Sequence, residues 1–217
     1  MRHLLADLLS GTDDIGWPEG DATLGALARQ ASASHEGGKR LRALLTLATY
    51  RAFSGERQES PAHLEPSDAG RIPPERESSE RDDAALDIAC AIELYQTSAL
   101  IHDDIIDESA MRRGKPSAHA ALGALMDDRR QGDALALMLG NMFATASARI
   151  ATSAFHRLGG DISGPDAFFA MQRAVQIGQS LDLSLERLPM DAGYQAQAAL
   201  QVYRWKTASY TTIAPIE

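Results

Sequence analysis

Apolar residues recur at helical spacing along most of this 217-residue chain. Leu24, Leu27 and Ala31 share one face of a helix that Asp21 can cap and that runs to about Ser34. Gly37-Gly38 ends it, and a second helix is expected from about Lys39 to Phe53, with Leu41, Leu44, Leu45 and Ala48 as its buried stripe. From about Asp83 to Asp107 the pattern is apolar nearly all round (Leu86, Ile88, Ile92, Leu94, Leu100, Ile101), which predicts a helix at the centre of a bundle. Arg112 to Pro116 reads as a loop, and helical patterns resume over 117–127 and 132–155. Ser163-Gly164-Pro165-Asp166 has the capping Ser and early Pro of a helix start. That helix is expected to reach about Arg187, with Pro189 closing it. Asp191 can cap a last helix reaching Ser209. There is no strand pattern and no internal repeat. The expected class is all-α, a bundle of packed antiparallel helices in one domain over 1–217.

The segment 53–83 breaks the pattern. It holds four of the nine prolines, nine acidic residues and four arginines, and reads as an acidic, disordered loop. The composition of the whole chain is that of an ordinary globular domain, 44% hydrophobic and 24% charged. A formal net charge of -9 argues against nucleic acid or an anionic membrane as partner. No run approaches the roughly 20 apolar residues of a membrane span, so no stable membrane insertion is expected. The N-terminal apolar run is broken at Asp7, which makes a poor signal peptide, and the lone Cys90 reads as a buried thiol. Together these features predict a cytoplasmic protein.

The candidate chemistry sits at the end of the most apolar helix. Of the four adjacent aspartate pairs, 13–14, 82–83 and 127–128 lie in polar surroundings. Only Asp103-Asp104 follows a long apolar stretch and has a third carboxylate, Asp107, one turn on. Carboxylates in an apolar setting need compensation, and these hard oxygen donors suit Mg²⁺. Arg112 and Arg113 follow in a loop ending at Gly114, and their planar guanidinium forks match phosphate oxygens. In Gly37-Gly38-Lys39-Arg40-Leu41-Arg42, two glycines allow close backbone approach to an anion. Lys39 and Arg42 are placed on one helical face, and basic residues at a helix N-terminus favour an anionic ligand. Gln96 shares the Asp103 face two turns earlier, Gln179 and Asp182 share a face, and Lys206-Thr207 close the last helix. Lysine is rare, and its three positions, Lys39, Lys115 and Lys206, all fall in these segments.

Taken in order, GGKRLR (37–42), LIHDDIIDESAMRRG (100–114), GQSLDL (178–183) and KTASYT (206–211) resemble the trans-polyprenyl diphosphate synthases, which make farnesyl, geranylgeranyl and longer prenyl diphosphates. The resemblance implies an isoprenoid-synthase-type fold and a homodimeric, Mg²⁺-dependent prenyltransferase that condenses isopentenyl diphosphate with an allylic prenyl diphosphate. By this resemblance Asp103, Asp104 and Asp107 would hold Mg²⁺ against the allylic diphosphate, with Arg112, Lys206 and Thr207 helping. Lys39, Arg42, Gln96 and Arg113 would bind isopentenyl diphosphate, and Gln179 and Asp182 would face the metals. Ser98 and Ala99, one turn before the first aspartate, would set the cavity floor. Both are small, which implies a geranylgeranyl or longer product.

The chain departs from the pattern in three respects. It stops just past Lys206-Thr207 without a second aspartate-rich motif, so the fold is expected to be C-terminally incomplete. Asn141 stands where relatives carry Asp, and the 53–83 loop is long. The rival readings are a non-catalytic or partner-dependent subunit of such a synthase, or a class I terpene cyclase, which would not need GGKRLR and Arg113.

Overall fold

The computed structural model describes residues 17–55, 74–159, 162–185 and 191–216. Its elements are helices α1 (Pro18–His35), α2 (Leu41–Gly55), α3 (Pro74–Ile106), α4 (Ala118–Met126), α5 (Arg129–Arg157), α6 (Ser163–Leu185) and α7 (Ala192–Val202), followed by a wider π-type coil, Tyr203–Ile213. Two two-residue strands, β1 (Met111–Arg112) and β2 (Lys115–Pro116), form an antiparallel hairpin between α3 and α4. The chain divides into two compact units, one from residues 1–39 and 90–149, the other from 40–89 and 150–217.

In the first unit, α1 starts earlier than expected. Pro18 fills the first turn, where its missing N–H costs nothing, and Glu19 and Asp21 lie in that turn rather than capping it. Ala26, Leu27 and Ala31 are its buried face. Leu94, Tyr95 and Ile101 of α3 and Leu139 and Phe143 of α5 complete a core in which each is almost wholly buried. Polar ties set the register of the helices. Ser147 Oγ donates to the Ala91 carbonyl at 2.7 Å. Thr97 Oγ1 donates to the Glu93 carbonyl at 3.0 Å and is hydrogen-bonded to His35 Nδ1, also at 3.0 Å. Asp127 and Asp128, which looked like plain surface, punctuate the α4–α5 connection. Asp127 adopts the left-handed region at φ 53° to end α4, and Asp128 Oδ1 accepts the Gln131 N–H at 3.2 Å to start α5.

In the second unit, Ile88, Ile150, Phe168, Met171 and Val175 are buried. Asp191 caps α7 as expected, accepting the Tyr194 N–H at 2.9 Å. The last helix does not continue regularly to Ser209: after Val202 it widens into the π-type coil, as in the Ala214 N–H to Ser209 carbonyl bond at 2.9 Å. The coil packs on α6 at Gly178, where a Cβ would overlap the Lys206 backbone.

Several other expectations are corrected. The stripe of α2 is not buried: Leu41 and Leu44 are exposed, because no described residue covers that face. Lys39 and Arg42 do not share a helical face, since α2 begins only at Leu41. α3 begins at Pro74, so the last part of the 53–83 segment is helical, while 56–73 lies outside the described residues, as do Asp13–Asp14, Arg187 and Pro189. Cys90 is half-buried. Two helical stretches, Ser78–Ile106 and Arg129–Arg157, are long and apolar enough to cross a membrane by length and composition. An Ala- and Leu-rich core helix reaches the same hydropathy, and 61% of the apolar window in the first is buried within the fold.

Gly178→Ala tests the close approach. An alanine is worth up to about 1 kcal/mol in a helix interior, yet here the overlap should outweigh it, with a net loss of about 1–3 kcal/mol in urea unfolding. A stabilised variant would mean that the coil can move away at no cost.

Candidate functional site

Asp103, Asp104 and Asp107 end α3, where the helix presents unpaired carbonyls and a partial negative charge. Three carboxylates there are unfavourable twice over, by mutual repulsion and by the helix dipole, and the last turn of α3 contains no basic residue. The compensation comes from the hairpin. Arg112 Nε donates to Asp104 Oδ1 at 2.9 Å, and Arg112 Nη2 donates to the same oxygen. Asp104 is 2% exposed, so this is a carboxylate taken out of water and matched to a guanidinium fork. The bonds to Asp104 raise the Arg112 pKa above its ordinary value, and the charges of Asp103 and Asp107 raise it further. All three carboxylates therefore act on this one cation.

The expected loop at 112–116 is in fact a tight turn. Met111 pairs with Pro116 and Arg112 with Lys115, which leaves Arg113-Gly114 as a two-residue loop with φ of 52° and 77°. Two successive left-handed residues make the turn whose twist matches a hairpin. The turn reverses the chain directly after Arg112, and Arg113 leaves it toward Glu36-Gly37-Gly38. Arg113 Nη1 donates to the Glu36 carbonyl at 3.1 Å. A Cβ on Gly38 would stand 3.0 Å from Arg113 Nη2. The bare face of Gly38 is thus occupied by the Arg113 side chain, which gives this glycine a purpose beyond backbone approach to an anion. Lys115 Nζ meets Glu36 Oε2 at 2.7 Å and holds that carboxyl below its ordinary value.

A cavity of about 260 Å³ opens beside these groups, lined by Asp104, Arg112, Arg113, Lys115, Leu100 and Ile101 among others. Cationic and apolar walls together suit a ligand with an anionic head and a hydrocarbon body. Ser98 and Ala99 do not line it: Ser98 is packed in the core and Ala99 is half-buried. Gln96 is half-buried on α3, and Lys39 is exposed between α1 and α2.

Among the described residues no three His, Cys, Asp or Glu side chains converge on a point that could hold a metal. Asp104 is engaged by Arg112, while Asp103, half-buried, and Asp107, exposed, lie one turn apart across the Asp107 N–H to Asp103 carbonyl bond at 2.8 Å. Two carboxylates fit Mg²⁺, which takes one or two from protein and fills its shell with water and phosphate oxygens.

Arg42, Gln179, Asp182, Lys206 and Thr207 belong to the second unit. Lys206 Nζ meets Asp182 Oδ2 at 2.7 Å, and Gln179 and Asp182 are half-buried one turn apart on α6. Arg42 Nη2 donates to Thr211 Oγ1 at 2.7 Å, and its guanidinium lies 4.1 Å from the Tyr210 ring centroid. The Arg42 Nε is buried with no hydrogen-bond partner among the described residues. Motif reading missed Glu36 as a partner of Arg113 and Lys115, and Tyr210 and Thr211 as partners of Arg42. The rarity of lysine was the one sequence signal pointing to Lys115.

An all-α fold with an aspartate-rich helix end met by Arg112, and a second arginine beside it, defines an isoprenoid-synthase-type protein. The polyprenyl synthetase family model matches residues 26–217, and the chain belongs to that family. It is 29% identical over 188 residues to a putative chloroplastic geranylgeranyl pyrophosphate synthase of Arabidopsis thaliana, covering 83% of this chain and 42% of the relative. It is likewise 29% identical to the farnesyl diphosphate synthase of Geobacillus stearothermophilus, over 70% of this chain and 44% of that one. A solved geranylgeranyl pyrophosphate synthase from Corynebacterium glutamicum, complexed with isoprenyl diphosphate and magnesium, superposes with TM-score 0.70 and 28% identity, covering 99% of this chain and 56% of that structure. The chain thus spans less than half the length of these curated relatives.

Removing the guanidinium in Arg112→Met would leave the Asp104 carboxylate buried and unpaired. Because Arg112 is itself 38% exposed, we expect a loss of roughly 2–3 kcal/mol in denaturant unfolding, at the low end for a broken buried pair. Unchanged stability would show that water reaches Asp104.

Proposed function

We propose that this chain carries the diphosphate-handling part of a Mg²⁺-dependent prenyltransferase that joins isopentenyl diphosphate to an allylic prenyl diphosphate, with a geranylgeranyl or longer product. The observation that carries this reading is the Asp104–Arg112 pair lining a cavity that Arg113 also lines. It is joined by family membership and by the accessible Asp103 and Asp107.

In this reading Asp103 and Asp107 hold the metal, while Asp104 orients Arg112. Bound Mg²⁺ supplies charge neutralisation of the departing diphosphate. Arg112 binds the allylic diphosphate and, fixed by Asp104, needs no reorganisation as negative charge develops on the leaving oxygen. Lys206 and Thr207 contribute to the same group. Arg113, Lys39, Arg42 and Gln96 hold isopentenyl diphosphate, so that its double bond is presented to the allylic carbon. Gln179 and Asp182 take part on the metal side, and Ser98 and Ala99, which lie outside the cavity beside Asp104, are assigned to product length by the family resemblance alone. Apolar walls keep water from the allylic cation. We read the functional form as a cytoplasmic homodimer, supported by the family's habit and by a composition with a single cysteine.

A second reading has its own observation. Tyr194, Leu200 and Tyr203 in the second unit are 65%, 67% and 62% exposed. Large apolar side chains this open favour a chain that works once further polypeptide covers them. Elongation that appears only on adding a second polypeptide would select this reading. A cyclised hydrocarbon formed without isopentenyl diphosphate would select a terpene cyclase.

The test is incubation with isopentenyl diphosphate, Mg²⁺ and a series of allylic primers, with chromatography of the products. Asp103→Ala should lower kcat by about 100-fold or more, on the scale of losing a charge contact to the transition state. Near-normal turnover would contradict the metal assignment. Ala99→Phe should shorten the product, and an unchanged product length would remove Ala99 from the cavity floor.

A further inference from the structure

Arg113 bears a side chain yet occupies the left-handed region at φ 52°, next to Gly114 at φ 77°. Such a backbone persists only where its surroundings hold it in place. The surroundings here are three contacts to one short segment, Glu36–Gly38. The Arg113 guanidinium donates to the Glu36 carbonyl at 3.1 Å and covers the bare face of Gly38, and Lys115 Nζ meets Glu36 Oε2 at 2.7 Å. The ion pair lies on the strand directly after the turn, because Lys115 pairs with Arg112 across the hairpin. The segment it grips has φ of 77° and 83° at Gly37 and Gly38, so its backbone is intrinsically permissive and needs an outside restraint to keep one shape. Glu36 and Lys115 are both well exposed, which makes the pair a weak source of stability. Its effect is on geometry.

Reading this as the isopentenyl diphosphate subsite, as proposed above, we infer that Glu36 and Lys115 are positioning residues: they latch the hairpin to the Gly37–Gly38 segment, so that Arg113 and Lys39 are held in place before the diphosphate arrives. Neither side chain is assigned to the ligand. The Lys115 ammonium is turned to Glu36, and Glu36, as an anion, would repel a diphosphate. The latch separates the work of the two arginines. Arg112 is fixed by Asp104 whether or not the latch is closed, whereas Arg113 is fixed by the Glu36–Gly38 segment.

The sign of one substitution distinguishes a latch from bulk electrostatics. Glu36→Ala removes a negative charge near an anion site, so simple charge balance makes diphosphate binding tighter. A latch makes it weaker, by roughly three- to tenfold for loss of pre-organisation. The measurement is titration calorimetry of the whole chain, with isopentenyl diphosphate and farnesyl diphosphate as separate probes. The expected result is weaker isopentenyl diphosphate binding in Glu36→Ala and in Lys115→Ala, unchanged farnesyl diphosphate binding, and recovery in the exchanged pair Glu36→Lys with Lys115→Glu. Equal or tighter isopentenyl diphosphate binding by Glu36→Ala overturns the latch and leaves the subsite reading intact. Failure of the exchanged pair to recover, or an equal loss for both probes, overturns it as well. A wild-type chain that does not bind isopentenyl diphosphate overturns the subsite reading and the latch with it.

Discussion

A carboxylate buried at the negative end of a long helix has to be neutralised, and much of the first unit's architecture follows from that requirement. Asp104 lies at the C-terminal turn of α3, flanked by Asp103 and followed by Asp107, with no basic residue in that turn. The nearest remedy in the chain is Arg112, eight residues on, and the backbone folds back toward Asp104 directly after α3, where Glu108 is left-handed at φ 51° and the Ser109 N–H bonds the Asp104 carbonyl at 2.9 Å. The Arg113-Gly114 turn then reverses the chain with two left-handed residues. The same reversal sends the neighbouring guanidinium in another direction, to Glu36 and Gly38. Two adjacent arginines thus acquire two separate attachments, which fits the proposal that each handles a different diphosphate.

The glycines of the motifs work as much by the room they leave as by their backbone freedom. Gly38 offers the face on which Arg113 lies, and Gly178 lets the coil that carries Lys206 approach α6 until backbones touch. In both places a methyl group would have to displace a neighbour: a guanidinium in the first case and the Lys206 main chain in the second. Close approach at Gly178 also accompanies the Lys206–Asp182 contact, since α6 supplies both the glycine and, one turn later, the carboxylate.

Cations in the second unit are handled by different means. Arg42 is held by an aromatic face and a hydroxyl, partners that leave its positive charge uncompensated. Its buried Nε keeps a donor unused among the described residues. A guanidinium placed in this way is ready for an anion at little reorganisation cost, which is consistent with the proposed role in diphosphate binding. The wider coil that carries Tyr210 and Thr211 belongs to the same arrangement, since irregular helical turns of this type concentrate at functional sites.

Helix class, helix order and the identity of the charged motifs were legible in the residues themselves. Apolar spacing, capping residues such as Asp191 and the isolation of Asp103-Asp104 behind a long apolar run are local properties, and local properties are written in sequence. What depended on distant partners was not. Leu41 and Leu44 have the periodicity of a buried stripe, but periodicity says which residues share a face and not whether anything covers it. Helical spacing brings the three aspartates together, but it says nothing of the arginine that pairs with the middle one. Only the tertiary structure separated Asp104 from Asp103 and Asp107, paired Glu36 with Lys115 across seventy-nine residues of chain and gave Gly38 to Arg113. The physical reason is one of range. Propensity and periodicity act within a turn or two of backbone, while charge pairing and close packing are settled by whichever side chains folding brings within a few ångströms.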